Sequence, residues 1–178
     1  MEDGELTVLL RALAFAAEKH RHQRRKDAEA SPYINHPIAL ASTLAIEGGV
    51  TDLAVLCGAL LHDTVEDTET LPAELEAEFG REICDIVLEV TDDKRLPKAE
   101  RKRLQIVHAA QASQKAKLVK LADKICNVRD MASYPPSTWT LERKQEYFDW
   151  AKRVVDGIRE ANPRLAAAFD AAYAQRPA

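Results

Sequence analysis

Leu60-Leu61-His62-Asp63-Thr64-Val65-Glu66-Asp67-Thr68 is the stretch that sets the frame for the rest of the chain. An apolar run from Leu53 to Leu61, interrupted only by Gly58, ends here in one His, three carboxylates and two Thr. A helix that is apolar nearly all round belongs in the middle of a domain, and a His-Asp pair at its tip is costly there unless something pairs with it. A divalent cation is the natural partner, since imidazole and carboxylate together suit manganese, iron and zinc. Two more ligands must then come from elsewhere in the chain.

Upstream, Pro37 suits the first turn of a helix over residues 37–47 that Gly48-Gly49 closes, which places His36 just outside the helix start. Thr51 or Asp52 caps the helix carrying His62 and Asp63. Leu6, Leu9, Leu10, Leu13, Ala14 and Ala17 recur at helical spacing and predict an amphipathic first helix over residues 6–22. Arg21-His22-Gln23-Arg24-Arg25-Lys26 follows, with a polar loop to Pro32. Such a charge run is ordinarily solvated surface, but this one leads directly into Pro32-Tyr33-Ile34-Asn35-His36-Pro37.

Downstream, two short helices are expected over Pro72–Phe79, with Gly80 as terminator, and Arg81–Val90. Residues 91–97 read as a loop, and Lys98–Gln111 as a basic helix whose Lys98, Arg101, Lys102 and Arg103 form a solvated face. In a helix over residues 114–131, Leu118, Leu121, Ile125 and Val128 form one stripe and Asp123, Asn127 and Asp130 another. At about 100° per residue the three polar positions fall within roughly 60° of one another, so Asp123 is a candidate ligand with Asn127 beside it. Pro135-Pro136 separates this from a long helix over residues 141–161, whose Tyr147, Phe148 and Trp150 read mostly as core or surface cover. Asn162-Pro163 starts a last helix to about residue 175. With no alternating strand pattern, repeat or glycine-rich phosphate loop, the expected fold class is all-α.

At 178 residues the chain fits one domain spanning 1–178, able to bury a core without disulfide or metal staples. Cys57, Cys84 and Cys126 are odd in number and lie within apolar helical patterns, which argues for reduced thiols in a cytoplasmic protein and against a cysteine metal site. The longest apolar run is far short of the ~20 residues that cross a membrane, and Met1-Glu2-Asp3 begins acidic, unlike a signal peptide. A net charge of −4 offers no global attraction for nucleic acid, so any cationic site must be local. The oligomeric state is left open by these patterns.

His36, then His62-Asp63 with Glu66-Asp67, then Asp123 in Lys120-Leu121-Ala122-Asp123-Lys124 resemble the HD-domain metal phosphohydrolases. More narrowly, residues 33–37, 60–68 and 119–130 are similar to the alarmone hydrolases of the RelA/SpoT type, and above all to the stand-alone small hydrolases that include the metazoan SpoT homologues. The resemblance spans nearly the whole chain. It implies a helical bundle that hydrolyses the 3′-pyrophosphate of guanosine tetra- or pentaphosphate (ppGpp, pppGpp) with Mn2+, yielding GDP or GTP and pyrophosphate. It implies His36, His62, Asp63 and Asp123 as metal ligands that leave positions open for water and a phosphoryl oxygen. Glu66 or Asp67 then takes the proton, and repulsion between the two keeps one pKa high enough for a base near neutrality; the bland alternative is that both cap the next turn through Thr68 and Thr70.

Arg25 and Lys26 match the family's phosphate and base contacts, which moves the basic loop from surface to site. Asn127 matches the residue that holds the ribose, and Lys98, Arg143 and Tyr147 match residues lining the pocket. Asp130 departs from the Thr of many bifunctional members, and its position near the base bears on the choice of guanine. Bifunctional members continue into synthetase and regulatory domains; none follows here, so hydrolysis without synthesis is expected. Removal of the 2′-phosphate of NADPH and hydrolysis of adenosine alarmones are alternatives within the same chemistry. A non-catalytic nucleotide sensor with a structural metal is disfavoured by the intact Glu66-Asp67 pair, and nucleic-acid binding through residues 21–26 by the net acidity.

Overall fold

The computed structural model describes residues 3–178, so Met1 and Glu2 of the acidic start lie outside it. In chain order the helices are α1 (Asp3–Lys19), α2 (Asn35–Ser42) running into a π-helical turn (Thr43–Glu47), α3 (Leu53–Leu61), α4 (Thr64–Asp67), α5 (Pro72–Phe79), α6 (Arg81–Val90), α7 (Lys98–Gln111), α8 (Gln114–Ser133), α9 (Leu141–Asp156), a 3-10 turn (Arg159–Ala161) and α10 (Pro163–Tyr173). Among the described residues there is no strand, only an isolated antiparallel bridge between Arg24 and Pro32. The fold is all-α.

Helix α3 is the axis of the core because it has no polar face to give to water: every residue from Ala54 to Leu61 is buried. Asp52 starts it by accepting from the Val55 amide at 3.1 Å, a cap worth ~1 kcal/mol. Helices α1, α2, α6 and α8 pack around it. Gly58 sets the approach of α6, since a Cβ there would lie 2.7 Å from Ile86 Cγ2. Helices α7, α9 and α10 pack along α8 on the far side, so α8 is shared by both halves of the core.

Several boundaries differ from the sequence reading, each for a tertiary reason. Helix α1 stops at Lys19 and not near residue 22, because the basic segment folds back on itself: Arg25 N donates to Ser31 O at 2.8 Å and Tyr33 N to Gln23 O at 3.1 Å. His36 lies inside the first turn of α2 and not before it; a turn in which Asn35 N donates to Pro32 O at 3.2 Å leads in, and Pro37 is tolerated because first-turn amides need no helical partner. The helix expected over 141–161 breaks at Gly157, where a Cβ would sit 3.3 Å from Ala110 Cβ, and the break lets Ile158 turn fully into the core. Helix α8 runs on to Ser133, α10 ends at Tyr173, and the short α4 was not foreseen.

Candidate active site

Four elements bring imidazole and carboxylate together. His62 caps the C-terminus of α3, Asp63 follows it, His36 comes from the first turn of α2 and Asp123 from the middle of α8. Ligand atoms of His36, His62 and Asp123 all lie within 4.8 Å of one another. His36 Nε2 is 3.1 Å and His62 Nε2 3.7 Å from Asp123 Oδ1, and His62 Nε2 is 2.9 Å from Asp63 Oδ2. Both rings are buried.

The hydrogen bonds around these groups test whether a cation fits. His62 Nδ1 lies 2.8 Å from the Ala59 carbonyl, which can only accept, so the proton sits on Nδ1 and Nε2 presents its lone pair. That Nε2 is buried and has no aligned hydrogen-bond partner, although oxygens of two carboxylates stand close by. A lone pair facing carboxylate oxygens is repulsive unless positive charge lies among them, which is what a divalent cation supplies. Without one, a proton takes that place: burial works to lower the His62 pKa, but the Asp63 carboxylate 2.9 Å away and Asp123 together push it up to about 9. Burial likewise works to raise Asp63 and Asp123, yet both stay below the usual carboxylate range, Asp63 through His62 and Asp123 through Lys124 and His36. The donor set therefore fits a divalent cation.

Asp63, Glu66 and Asp67 form a second cluster of ligand atoms within 4.8 Å of one another, set out by the single turn of α4. Glu66 Oε1 accepts from the Asp92 amide at 2.6 Å, and Asp67 takes the Lys94 ammonium and, at 3.4 Å, the Gln23 amide. Neither carboxylate caps the following turn, where Thr68 instead donates to Thr64 O at 2.5 Å and bonds Thr70. Burial raises the Glu66 pKa; the Asp92 amide works against it, Asp63, Asp92 and Asp67 add to it, and the result is about 7.

These groups line a cavity of about 880 Å³ whose other wall is cationic and aromatic. Arg25 and Lys26 enter from the folded-back loop, Lys98 from α7, Asn127 and Asp130 from α8 and Tyr147 from α9. Arg143 does not line the cavity; its guanidinium lies 4.0 Å from the ring centroid of Trp139, which does. Asn127 Nδ2 donates to Asp123 Oδ1 at 2.9 Å, and Asp130 Oδ2 takes Arg25 Nη2 at 2.6 Å, while the neighbouring Arg129 turns away to Glu47. Burial, with Arg143, Lys26 and Arg101 close by, holds the Lys98 pKa below that of an ordinary lysine. Trp139, Tyr147 and Trp150 stand ring to ring, with centroids 5.8 and 5.4 Å apart.

Residues 12–149 match the HD-domain family model. The chain belongs to the HD-domain family. Within that family it is 57% identical to the guanosine-3′,5′-bis(diphosphate) 3′-pyrophosphohydrolase MESH1 of Xenopus tropicalis, over 94% of this chain and 93% of that one. It is 54% identical to the Homo sapiens MESH1 over 97% of both chains. A solved structure described as a metazoan ortholog of SpoT that hydrolyzes ppGpp superposes with a TM-score of 0.92 at 50% identity, covering 95% of each chain.

Several residues of this HD-domain site escaped the sequence reading. Tyr33 donates its hydroxyl to Asp63, a contact that the resemblance of residues 33–37 does not name. Asp92 and Lys94 reach Glu66 and Asp67 from the segment before α7, which reads in the sequence only as a loop. Lys102, assigned to a solvated face, has its ammonium 4.8 Å from the Trp150 ring centroid, and Trp150 lines the cavity. Lys120 and Lys124 are buried on α8, and their one sequence signal is a Lys pair at i, i+4 that brackets Asp123 in a helix segment otherwise apolar from Leu118 to Cys126.

Proposed function

We propose that this protein is a guanosine-3′,5′-bis(diphosphate) 3′-pyrophosphohydrolase that uses Mn2+, with one HD-type unit spanning residues 1–178 and acting in the cytoplasm. The observation that carries the reading is the buried lone pair of His62 facing carboxylates without an aligned hydrogen bond, a few residues from a Glu66 whose pKa is raised to about 7, in a cavity walled by cations. The names of relatives at 50–57% identity support the substrate.

His36, His62, Asp63 and Asp123 would hold the ion, whose two carboxylate ligands favour a harder metal than a His-rich zinc site would. When bound, it supplies Lewis-acid polarisation of a phosphoryl oxygen and lowers the pKa of a water. Glu66 takes the proton of the water that attacks the phosphorus attached to ribose O3′; the O–P bond forms, the P–O3′ bond breaks, and pyrophosphate and a 3′-hydroxyl result. Asp67, in its ion pair with Lys94, orients the water, and Glu66 passes the proton it has taken to the leaving O3′. Arg25, Lys26 and Lys98 meet the diphosphates; Asn127 meets the ribose; Asp130 and Tyr147 bound the base, and Arg143 backs Trp139.

A second reading, hydrolysis of NADPH at its 2′-phosphate or of adenosine alarmones, is favoured by one observation: Asp130 is paired with Arg25, and aromatic faces take any base. Product analysis with ppGpp, NADPH and the adenosine analogue at one Mn2+ concentration separates the readings. GDP and pyrophosphate from ppGpp at the highest kcat/KM is the expected result. An adenosine alarmone turned over fastest would overturn the guanine preference, and turnover of none would leave a nucleotide sensor.

A further inference from the structure

One charged group in the cavity wall has fewer partners than it needs. Lys120 lies on α8 three residues before Asp123, is buried and lines the cavity. An ammonium offers three donors, and here the single acceptor is Val90 O at 3.3 Å, at the C-terminus of α6. Of the other buried or paired lysines of the wall, Lys94 is answered by Asp67, and Lys124 by Asp123 Oδ2 at 2.9 Å and by the Trp150 ring at 4.4 Å, while Lys98 and Lys102 rest on aromatic rings. No carboxylate among the described residues forms an ion pair with Lys120.

A lysine that only capped the end of α6 would do so from the surface, with its ammonium in water. Lys120 has given up most of that water, a large cost for a cation that is neither paired nor fully hydrogen-bonded. Burial accordingly holds its pKa below that of an ordinary lysine, with Lys124 adding to the effect and Asp123, Asp92 and Glu66 opposing it. The three carboxylates are thus within electrostatic reach without being bonded to it.

We propose that Lys120 is a further catalytic residue: its unspent donors receive the negative charge that builds on the phosphoryl oxygens as water adds to phosphorus. The inference rests on the phosphohydrolase reading above. Lys120 forms no covalent bond and gives up no proton; it donates hydrogen bonds to a non-bridging oxygen while Glu66 takes the proton of the water. A donor fixed in place and short of water pays nothing to reorganise when the charge appears, which is how such groups lower barriers. The distribution of partners divides the work: Arg25 and Lys98 bind the diphosphates of the ground state, and Lys120 acts on the transition state.

The test uses Lys120→Met, which keeps length and removes charge, and Lys120→Arg, which keeps charge. With ppGpp and Mn2+, Lys120→Met is expected to lose about 10²- to 10³-fold in kcat and to keep KM within about 3-fold. Mn2+ affinity by titration should be unchanged, and Tm should equal or exceed that of the wild type, because the charge removed was poorly partnered. Lys120→Arg should recover part of kcat. A Lys120→Met kcat within about 3-fold of wild type overturns the proposal, as does a rise in KM alone. A Tm that falls in both variants along with kcat would make Lys120 a structural support. Wild-type protein that hydrolyses none of the nucleotides overturns the reading itself, and the inference with it.

Discussion

His36 and His62 on the cavity floor are 3% and 5% exposed and take their geometry from helices that cross in the core, whereas Arg25 on the wall reaches in from a loop and Arg143 is an exposed residue resting on a ring. On the floor each group is held by more than one neighbour: Asp123 alone touches His36, Lys124 and Asn127. On the rim the cations are held more loosely, Arg25 by Asp130 and the face of Tyr33, Arg143 by the Trp139 ring. Charges on the floor interact at low dielectric and cannot be screened; those on the rim share their partners with water and salt. Floor residues should therefore govern kcat and metal, and rim residues KM and its salt dependence.

The largest effect tests the floor. Because His62 Nε2 is buried among the Asp63 and Asp123 carboxylates without an aligned hydrogen bond, His62→Ala should abolish tight metal binding and lower kcat by on the order of 10³-fold or more. Chelation should do the same to the wild type, with Mn2+ restoring activity best. Full turnover by demonstrably metal-free protein would break the floor's assignment.

Glu66 comes next. Glu66→Gln should cost about 10²- to 10⁴-fold in kcat while metal is retained. A base works only when ionised, so with a pKa raised to about 7 activity should climb as pH rises through that value, and a bound divalent cation shifts the midpoint lower. The Gln variant should lose this limb of the kcat/KM profile. Loss of metal in place of the limb would make Glu66 a ligand.

A smaller effect belongs to the rim. Arg25→Ala removes one charge-assisted contact and should raise KM by roughly 10-fold, with kcat changed little and the penalty shrinking at high salt. Asp130→Asn frees the Arg25 guanidinium and should not raise KM for ppGpp unless Asp130 itself reads guanine. An Arg25→Ala effect confined to kcat would erase the division between floor and rim.

The smallest lies outside both regions. Asp52→Ala removes the α3 cap and an ion pair with Lys115 at the surface, so unfolding stability should fall by ~1 kcal/mol with kcat unchanged. A matching loss of activity would show that the far end of α3 steers His62.

Helices α5, α6 and α7 begin and end where their punctuation places them, because Pro72, Gly80 and Pro97 act through local backbone geometry, as the +84° φ of Gly80 shows. Helices α1, α2 and α9 depart from the reading at the ends where distant groups intervene, such as the fold-back from Arg25 to Ser31 or the contact of Gly157 with Ala110. The same distinction governs the site. His62, Asp63, Glu66 and Asp67 stood out because one short stretch carries them past the end of an apolar helix, and Asp123, Asn127 and Asp130 because helical period aligns them.

By itself the sequence determined the all-α class, the buried status of α3 and the set of side chains able to serve metal and proton chemistry, since periodicity and residue chemistry are local properties. Tertiary structure alone decided which cations enter the cavity and what each is paired with. Lysines at 102, 120 and 124 look like the solvated lysines of any helix, and only the packing of α6, α7, α8 and α9 half-buries the first and buries the other two. The partner that each then finds, a ring face for Lys102, a carboxylate for Lys124 and little more than one carbonyl for Lys120, depends on chain segments dozens of residues away, which no local pattern records.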